Sequence, residues 1–317
     1  EVCFPKMKIL IISLSGAGNT LLATPLIHRI KKDISNVQID LLVRNPIMGK
    51  LVHNPDYVSN MYYLIEDFGS SFITGIKYFI PILSTIYLLR SKKYDYSFIV
   101  APANDKKIHL ISYFINAKKK ISHITSHNKW YGTLLNDLCI PYIDDMHDVN
   151  NNLQLGSILY GTQKKHPYFI KFVSNKEKTI AKIWLQKNNM SHQHFTAFSN
   201  GAAGQNWKKL TVAEAAHYIQ ERIPKKGIII LFSYNNEEKE FNVKLAKKLP
   251  NHRSVAAHKL PLPVVDYIIG RCTYFISNDS FLMHLAALNG IKQLAISKGT
   301  NFLHTAPYNS NAELIRI

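Results

Sequence analysis

Three short segments hold residue types suited to a charged ligand. The first is Ser15-Gly-Ala-Gly18-Asn19, a glycine turn between an apolar, β-rich run and a stretch with helical spacing. Small residues at such a junction let a ligand approach backbone N–H groups at a helix N-terminus. The turn lacks the third glycine of a dinucleotide fingerprint and the Lys-Ser/Thr pair of a P-loop, which argues against nicotinamide and ATPase chemistry. Plain α/β architecture explains the turn equally well. The second segment, Gly201-Ala-Ala-Gly204-Gln205-Asn206-Trp207-Lys208-Lys209, is another glycine turn, with two lysines behind a tryptophan. Backbone N–H groups near Gly201 and the ammonium of Lys208 or Lys209 suit a diphosphate, and a solvated lysine pair is the competing reading. The third, Asn278-Asp279-Ser280, ends a strand-like run, and His284 follows one helical turn later. A carboxylate, a hydroxyl and helix N–H groups would converge there on a ribose or phosphate, whereas an ordinary N-cap uses the same residues.

Other chemistries find little support. Among 14 histidines, His192-Gln-His194 is the one close pair, and no HExxH motif accompanies it, so no metal site is expected. There is no Asp-x-Asp clamp for a metal-bound nucleotide sugar and no Gly-x-Ser-x-Gly elbow. Three cysteines, Cys3, Cys139 and Cys272, are odd in number and widely spaced, which fits a reducing compartment better than a disulfide framework.

The 317 residues carry a formal charge of +18, unevenly distributed. Residues 1–163 hold 17 basic and 12 acidic side chains, and 164–317 hold 22 and 9, leaving +5 and +13. The surplus points to an anionic partner without identifying it. A window at 77–129 concentrates ten Lys/Arg against Asp95 and Asp105, interleaved with Tyr78, Tyr87, Tyr94, Tyr96, Tyr113 and Trp130. No RNA-binding signature accompanies that mixture, so a phosphorylated sugar or an acidic bilayer surface is the expected partner rather than nucleic acid.

The intervening elements alternate. Residues 8–14, 37–43, 60–64 and 96–100 read as strands, with a helix at 21–32. Residues 6–14 are too short an apolar run for a signal peptide and read as a buried strand. The apolar stretch 72–89 approaches a membrane span of about 18 residues, but Lys77 and Pro81 interrupt it, so an amphipathic or core helix is expected. The alternation resumes with strands at 195–199, 227–232 and 274–277 and helices at 212–221, 237–249 and 281–288. It predicts an α/β protein of two Rossmann-like domains, 1–163 and 164–317, facing a cleft, the boundary following a helical stretch at 149–160.

With these pieces in order, the chain resembles the lipopolysaccharide heptosyltransferases of glycosyltransferase family 9. Lys8-Ile-Leu-Ile-Ile-Ser-Leu-Ser-Gly-Ala-Gly-Asn-Thr-Leu-Leu-Ala-Thr-Pro25 looks like the family's opening strand, glycine turn and helix ending in Thr-Pro. Tyr94-Asp95, the segment 147–161, Asn200-Gly-Ala-Ala-Gly-Gln-Asn-Trp207, Glu238, and Asp279-Ser280 with His284-Leu-Ala-Ala match later motifs in the family's order. The resemblance implies a GT-B fold and metal-independent, inverting transfer from ADP-heptose to the inner core of lipopolysaccharide or lipooligosaccharide. It implies no cofactor and a peripheral place on the cytoplasmic face of the inner membrane. Acceptor candidates on the first domain are Ser15, Gly16 and Gly18, with Lys92, Lys93, Lys118, Lys119 and Lys120 from the basic window. For the donor, the resemblance places Asn200 and Gly201 at the diphosphate, Glu238 near the ribose and Leu260 beside the adenine. Asp279, Ser280 and His284 would surround the diphosphate and transferred sugar.

Three positions depart from the family pattern. Asn19 stands where the family has its aspartate base, and an amide orients a hydroxyl but cannot take its proton near neutral pH. Gln205 stands where a basic residue precedes the tryptophan, leaving Lys208 to supply the charge. Phe281 replaces the glycine after Asp-Ser/Thr, beside the diphosphate. A relative using another nucleotide sugar, or a degenerate glycan- or nucleotide-binding protein, is the alternative expectation.

Overall fold

The computed structural model describes residues 6–44, 46–64, 72–161, 167–202, 205–309 and 311–317. The chain forms two compact units, residues 1–172 and 173–317. The boundary expected at 163/164 lies outside the described residues, and the chain divides at Phe172/Val173.

The first unit begins with β1 (Met7–Ser13), α1 (Ala17–Asp33), β2 (Val37–Val43), α2 (Pro46–Val52) and β3 (Asn60–Tyr63). It continues through α3 (Phe72–Ser91), β4 (Tyr96–Ile99), α4 (Lys106–Ile115), β5 (Lys119–Ile124), α5 (Lys129–Leu135) and β6 (Leu138–Pro141). Two short helices, α6 (Asp148–Leu155) and α7 (Ser157–Tyr160), replace the single one expected over 149–160. They part at Gly156, where a Cβ would collide with Leu26 and Tyr160. All strand pairs are parallel, in the order β3-β2-β1-β4-β5-β6.

The second unit runs α8 (Asn175–Lys187), β7 (Thr196–Ser199), a 3-10 turn (Asn206–Lys208), α9 (Val212–Arg222), β8 (Ile228–Ser233) and α10 (Asn236–Lys248). It continues with β9 (Arg253–His258), α11 (Leu262–Ile269), β10 (Tyr274–Asn278) and α12 (Phe281–Leu288). It closes with β11 (Gln293–Ser297), α13 (Phe302–Thr305) and β12 (Ala312–Arg316). Its parallel sheet has the order β12-β11-β10-β7-β8-β9. Both orders reverse direction between the unit's first and fourth strands, which is the Rossmann pattern.

Burial on both faces explains why central strands are apolar without alternation: Ile9 to Ile12 and Phe275-Ile276 have no exposed surface. Helices α8 and α9 begin with capping boxes, Ser174 with Glu177 and Thr211 with Glu214, which close their first turns. The apolar stretch at 72–89 is α3, and among the described residues no helix is long and apolar enough to cross a membrane.

The Thr24-Pro25 pair of α1 shows how local chemistry anchors the first unit. Pro25 has no N–H for the carbonyl of Leu21 four residues back, and the Thr24 hydroxyl donates to that oxygen instead, at 2.7 Å. The same hydroxyl oxygen accepts from the Ile170 N–H at 3.1 Å, fastening the unit's last segment to the helix that follows β1. Nearby, buried Asn152 of α6 accepts from Ala101 N–H and donates to the Leu22 carbonyl. We expect Thr24→Val, nearly isosteric, to lower unfolding free energy by about 1–3 kcal/mol, because a buried carbonyl and a buried N–H lose their shared partner. Urea denaturation checks this, and an unchanged midpoint would show that neither group depends on the hydroxyl.

Candidate functional site

In parallel α/β sheets, ligands gather at the C-terminal ends of the strands where the strand order reverses. In the second unit those strands are β7 and β10, and the segments that leave them are 200–209 and 279–280. Residues 203 and 204 lie outside the described residues. Asn200, buried, does not point its amide outward. It donates to the Leu210 carbonyl at 2.9 Å and accepts from the Leu210 N–H at 2.8 Å, pinning both ends of the loop. Asn278, fully buried at the end of β10, donates to the carbonyls of Gly201 (2.9 Å) and Lys208 (3.1 Å). These two asparagines shape the turn from below, and neither role is visible in the linear sequence.

Charge at this turn is already organised. Lys208 Nζ lies 2.7 Å from Asp279 Oδ2, with side chains 18% and 7% exposed, and 5.3 Å from the Trp207 ring centroid. Lys209 pairs with Glu237 at 2.8 Å. The positive charge expected of Lys208 at a diphosphate is therefore shared with Asp279, and the ammonium's remaining donors are what a ligand could meet. Gln205 is exposed and its carbonyl accepts the Lys208 N–H, so it closes the 3-10 turn through its backbone.

Helix α12 starts at Phe281, with Ser280 as its N-cap residue. The Ser280 hydroxyl makes no capping bond; its Oγ is shielded from solvent and has no hydrogen-bond partner. The first turn contains no acidic residue and no side-chain cap, so apart from the Met283 N–H, which bonds the Ser280 carbonyl, its N–H groups have no partner from a capping side chain. The competing N-cap role for Ser280 is thus not used. Phe281 is half-buried, and His284 is buried one turn along. Thr300 adds another shielded hydroxyl without a partner after β11. The neighbouring Gly299 has φ +121°, with Trp207 3.6 Å from the position of a Cβ.

Glu238 and Leu260 fall on the same edge, after β8 and β9. Glu238 accepts the Tyr234 N–H at 2.7 Å, and its Oε1 would lie 3.7 Å from a Cβ at Gly201, so the β8 and β7 turns are adjacent. Half-buried Leu260 follows Lys259, whose N–H donates to Ser233 O at 2.8 Å and ties the β9 exit to β8. The fold thus brings all the donor-side candidates to one sheet edge.

In the first unit the order reverses between β1 and β4. Ser15, Gly16, Gly18 and Asn19 leave β1 there, and the Ser15 hydroxyl donates to the Pro102 carbonyl at 3.1 Å in the β4 exit loop. Gly16 is extended and has nothing within 4 Å of a would-be Cβ, so space lies open before α1. Asn19 is half-buried in the first turn, its side chain makes no hydrogen bond among the described residues, and that turn holds no acid.

The lysine candidates are not brought to this turn. Lys92 and Lys93 precede β4, and Lys118, Lys119 and Lys120 precede or open β5, so all five lie at the N-terminal edge of a parallel sheet whose C-terminal edge holds Asn19. Two also have fixed counterions: Lys118 pairs with Asp95 at 2.8 Å and the nearly buried Lys120 with Asp137 at 2.7 Å. Partial burial raises the affinity of both carboxyls for protons, but hydrogen bonds from the lysines and from backbone N–H groups outweigh it and hold their pKa values below the usual range. Of the lysines in the basic window, Lys106, Lys107 and Lys129 stand at the starts of α4 and α5, on the Asn19 edge. Among the described residues no group of three or more His, Cys, Asp and Glu side chains is placed to hold a metal ion.

Comparison with known proteins fits this architecture. A crystal structure of a glycosyltransferase family 9 protein from Veillonella parvula superposes with a TM-score of 0.78 at 15% identity, covering 100% of this chain and 89% of that one. The Escherichia coli ADP-heptose lipopolysaccharide heptosyltransferase II gives 0.70 at 20% identity over 98% and 91%. An E. coli heptosyltransferase solved with ADP gives 0.70 at 16% over 98% and 93%. In sequence, the lipooligosaccharide heptosyltransferase 2 of Haemophilus influenzae is 24% identical over 327 aligned positions, spanning 98% of this chain and 89% of the relative. The fold is therefore GT-B-like, and the model of glycosyltransferase family 9 (heptosyltransferase) matches residues 83–317, so this chain belongs to that family.

Proposed function

We propose that this chain transfers a heptosyl group from ADP-heptose to the inner core of lipopolysaccharide or lipooligosaccharide, with inversion and without a metal ion. The observation that carries the reading is the convergence of the Gly201 turn, the Lys208–Asp279 pair and the open N-terminus of α12 at one strand-order reversal. That arrangement suits a nucleoside diphosphate, and relatives of this chain are named for ADP-heptose and solved with ADP. In the transfer, the acceptor hydroxyl oxygen bonds to the anomeric carbon while the bond to the diphosphate breaks, and ADP leaves with the electron pair. The N–H groups of α12 and the Lys208 ammonium would meet the charge that develops on the leaving oxygen, a task that a cation performs in other designs. The acceptor proton goes to a base, and Asn19 can only hold the hydroxyl in place.

The expected membrane partner also has support in the first unit. On α3, Ile80 (67% exposed), Leu83, Tyr87 (77%) and Leu88 face solvent, and Tyr113 and Phe114 are exposed at the end of α4. The α3 end is linked to α4 by the bond from Arg90 to the Phe114 carbonyl, and Lys92, Lys93 and Lys119 border it, exposed. An apolar, aromatic patch rimmed by cations suits an anionic bilayer interface.

Three outcomes follow. Calorimetry should give the same ADP affinity in EDTA as in magnesium, and folded protein that binds in neither would remove the donor site. With ADP-heptose and truncated lipopolysaccharide acceptors, transfer should be slow in the unaltered chain. Asn19→Asp should raise turnover by roughly 10²-fold, the lower range for a positioned base, with little change in ADP affinity. A wild-type rate that Asn19→Asp reduces would place the base elsewhere, and no transfer by either form favours a binding protein. In flotation with anionic vesicles, binding should weaken as salt rises and fall in both Tyr87→Ser and a Lys92→Glu/Lys93→Glu double variant. Equal binding to neutral vesicles would contradict the bilayer surface.

A further inference from the structure

The C-terminal edge of the first sheet carries an exposed tryptophan that has no part in the donor site. Helix α5 leaves β5, and β5 lies two strand spacings, roughly 10 Å, from β1, so Trp130 stands on the same sheet edge as the 15–19 turn. Trp130 is 61% exposed, and Leu134 on the same face of α5 is 72% exposed.

Its mounting is rigid. Asn128, fully buried, donates to the carbonyls of Ala103 (2.8 Å) and His123 (2.9 Å) and accepts from the Thr125 N–H (2.7 Å). The buried Tyr131 packs edge-on against Trp130, and its hydroxyl donates to the Asn104 carbonyl. His109 Nε2 meets the Ala103 carbonyl at 2.8 Å. All of these grip the loop whose Pro102 carbonyl receives the Ser15 hydroxyl, so hydrogen bonds join the Asn19 turn to the helix that bears Trp130.

The surroundings are cationic. The Lys106 ammonium lies over the indole ring, 4.6 Å from its centroid, Lys107 and Lys129 are the sequence neighbours of Lys106 and Trp130, and the Asp105 carboxylate caps α4 at the Lys107 N–H. An indole with an ammonium over one face matches a sugar that bears an acidic substituent: the sugar's C–H face stacks on the ring's other face, and the phosphate or carboxylate reaches the lysine past the ring edge. A protein hot spot would pair the tryptophan with a broader apolar surround than Leu134 provides. We propose that Trp130 and Lys106 form a saccharide subsite that holds an anionic sugar of the acceptor beside the Asn19 turn.

This proposal rests on the acceptor being an anionic glycan, and binding is measured separately from transfer so that the two readings can fail independently. The probe is a deacylated, phosphorylated inner-core oligosaccharide, titrated by calorimetry into the whole chain. Trp130→Ala and Lys106→Ala should each weaken its binding about tenfold, equivalent to about 1.4 kcal/mol, and leave ADP affinity unchanged. Trp130→Phe should restore most of the loss, which a merely structural role at an exposed position would not require. Oligosaccharide loss in Trp130→Ala without any transfer by the unaltered chain would keep the subsite and remove the transferase. Unaltered oligosaccharide binding in both alanine variants, or none by the unaltered chain, overturns the subsite. A variant bound instead by a protein partner at this face, with the sugar indifferent to it, overturns it as well. If Trp130→Ala loses ADP binding too, the surface Lys106→Ala variant decides.

Discussion

Where a parallel sheet reverses its strand order, neighbouring loops turn away from each other and leave a crevice that no backbone ladder closes. In the second unit one side chain spans that crevice: the Asn278 amide holds the Gly201 and Lys208 carbonyls together. The position of Lys208 depends on this bridge, and the Lys208–Asp279 pair depends on the position of Lys208. The bridge is buried, so water does not compete for the amide, and its Oδ1 is left without a partner. Losing it would free both loops while leaving a polar backbone behind, so the geometry offered to a diphosphate is only as good as this one contact.

The +18 surplus does not act as a uniform field. Lys118, Lys120, Lys208, Lys209 and Lys298 each have a carboxylate within 2.8 Å, and the last, with Glu214, secures the start of α9 against the β11 exit. Such pairs lock geometry and contribute little net attraction to a distant anion. Within the basic window of the first unit, what remains for partners is divided between two edges of the sheet, with Lys92, Lys93 and Lys119 at one and Lys106 and Lys129 at the other.

That division explains how much was legible in the sequence. Strands buried on both faces, such as 37–43, and turns built on glycine announce themselves because their composition follows directly from burial and from close backbone approach. The 200–209 and 278–284 candidates stood out because each segment follows a strand read from composition, whereas Glu238 and Leu260 came from the family resemblance alone, and β9, which leads to Leu260, does not announce itself as a strand. Strand β5, Lys119-Lys-Ile-Ser-His-Ile, did not stand out, since its Ser122 and His123 are fully buried despite being polar. Burial pushes the His123 pKa down to about 4, so it enters the core neutral, a state its residue type does not reveal. The basic window summed charges that are adjacent in the chain but fall on opposite ends of parallel strands, an inversion that appears only once the strand direction is known. Asn200 and Asn278 share this difficulty from the other side: asparagine near a turn reads as a ligand group or a cap, and only tertiary contacts show that it binds carbonyls beneath the surface.

The helix ends carry the same logic into function. Away from the reversals, α8 closes its own first turn with a capping box and α10 carries Glu237 and Glu238 at its start; α4 and α9, which follow β4 and β7, are capped by Asp105 and Thr211. Helices α1 and α12, which leave β1 and β10 at the two reversals, have no acid in the first turn and no side-chain cap. Each omission forgoes about 0.5–2 kcal/mol that a cap commonly contributes; α5, α7 and α11 share it, and at α1 and α12 it falls where parallel-sheet geometry collects ligands. Stability alone would favour filling both ends. A helix start kept open, with Ser280 Oγ unengaged and empty space before Gly16, retains its N–H groups for a charge that arrives from outside, and Asn19 keeps the α1 end neutral where an aspartate would bring that charge from within.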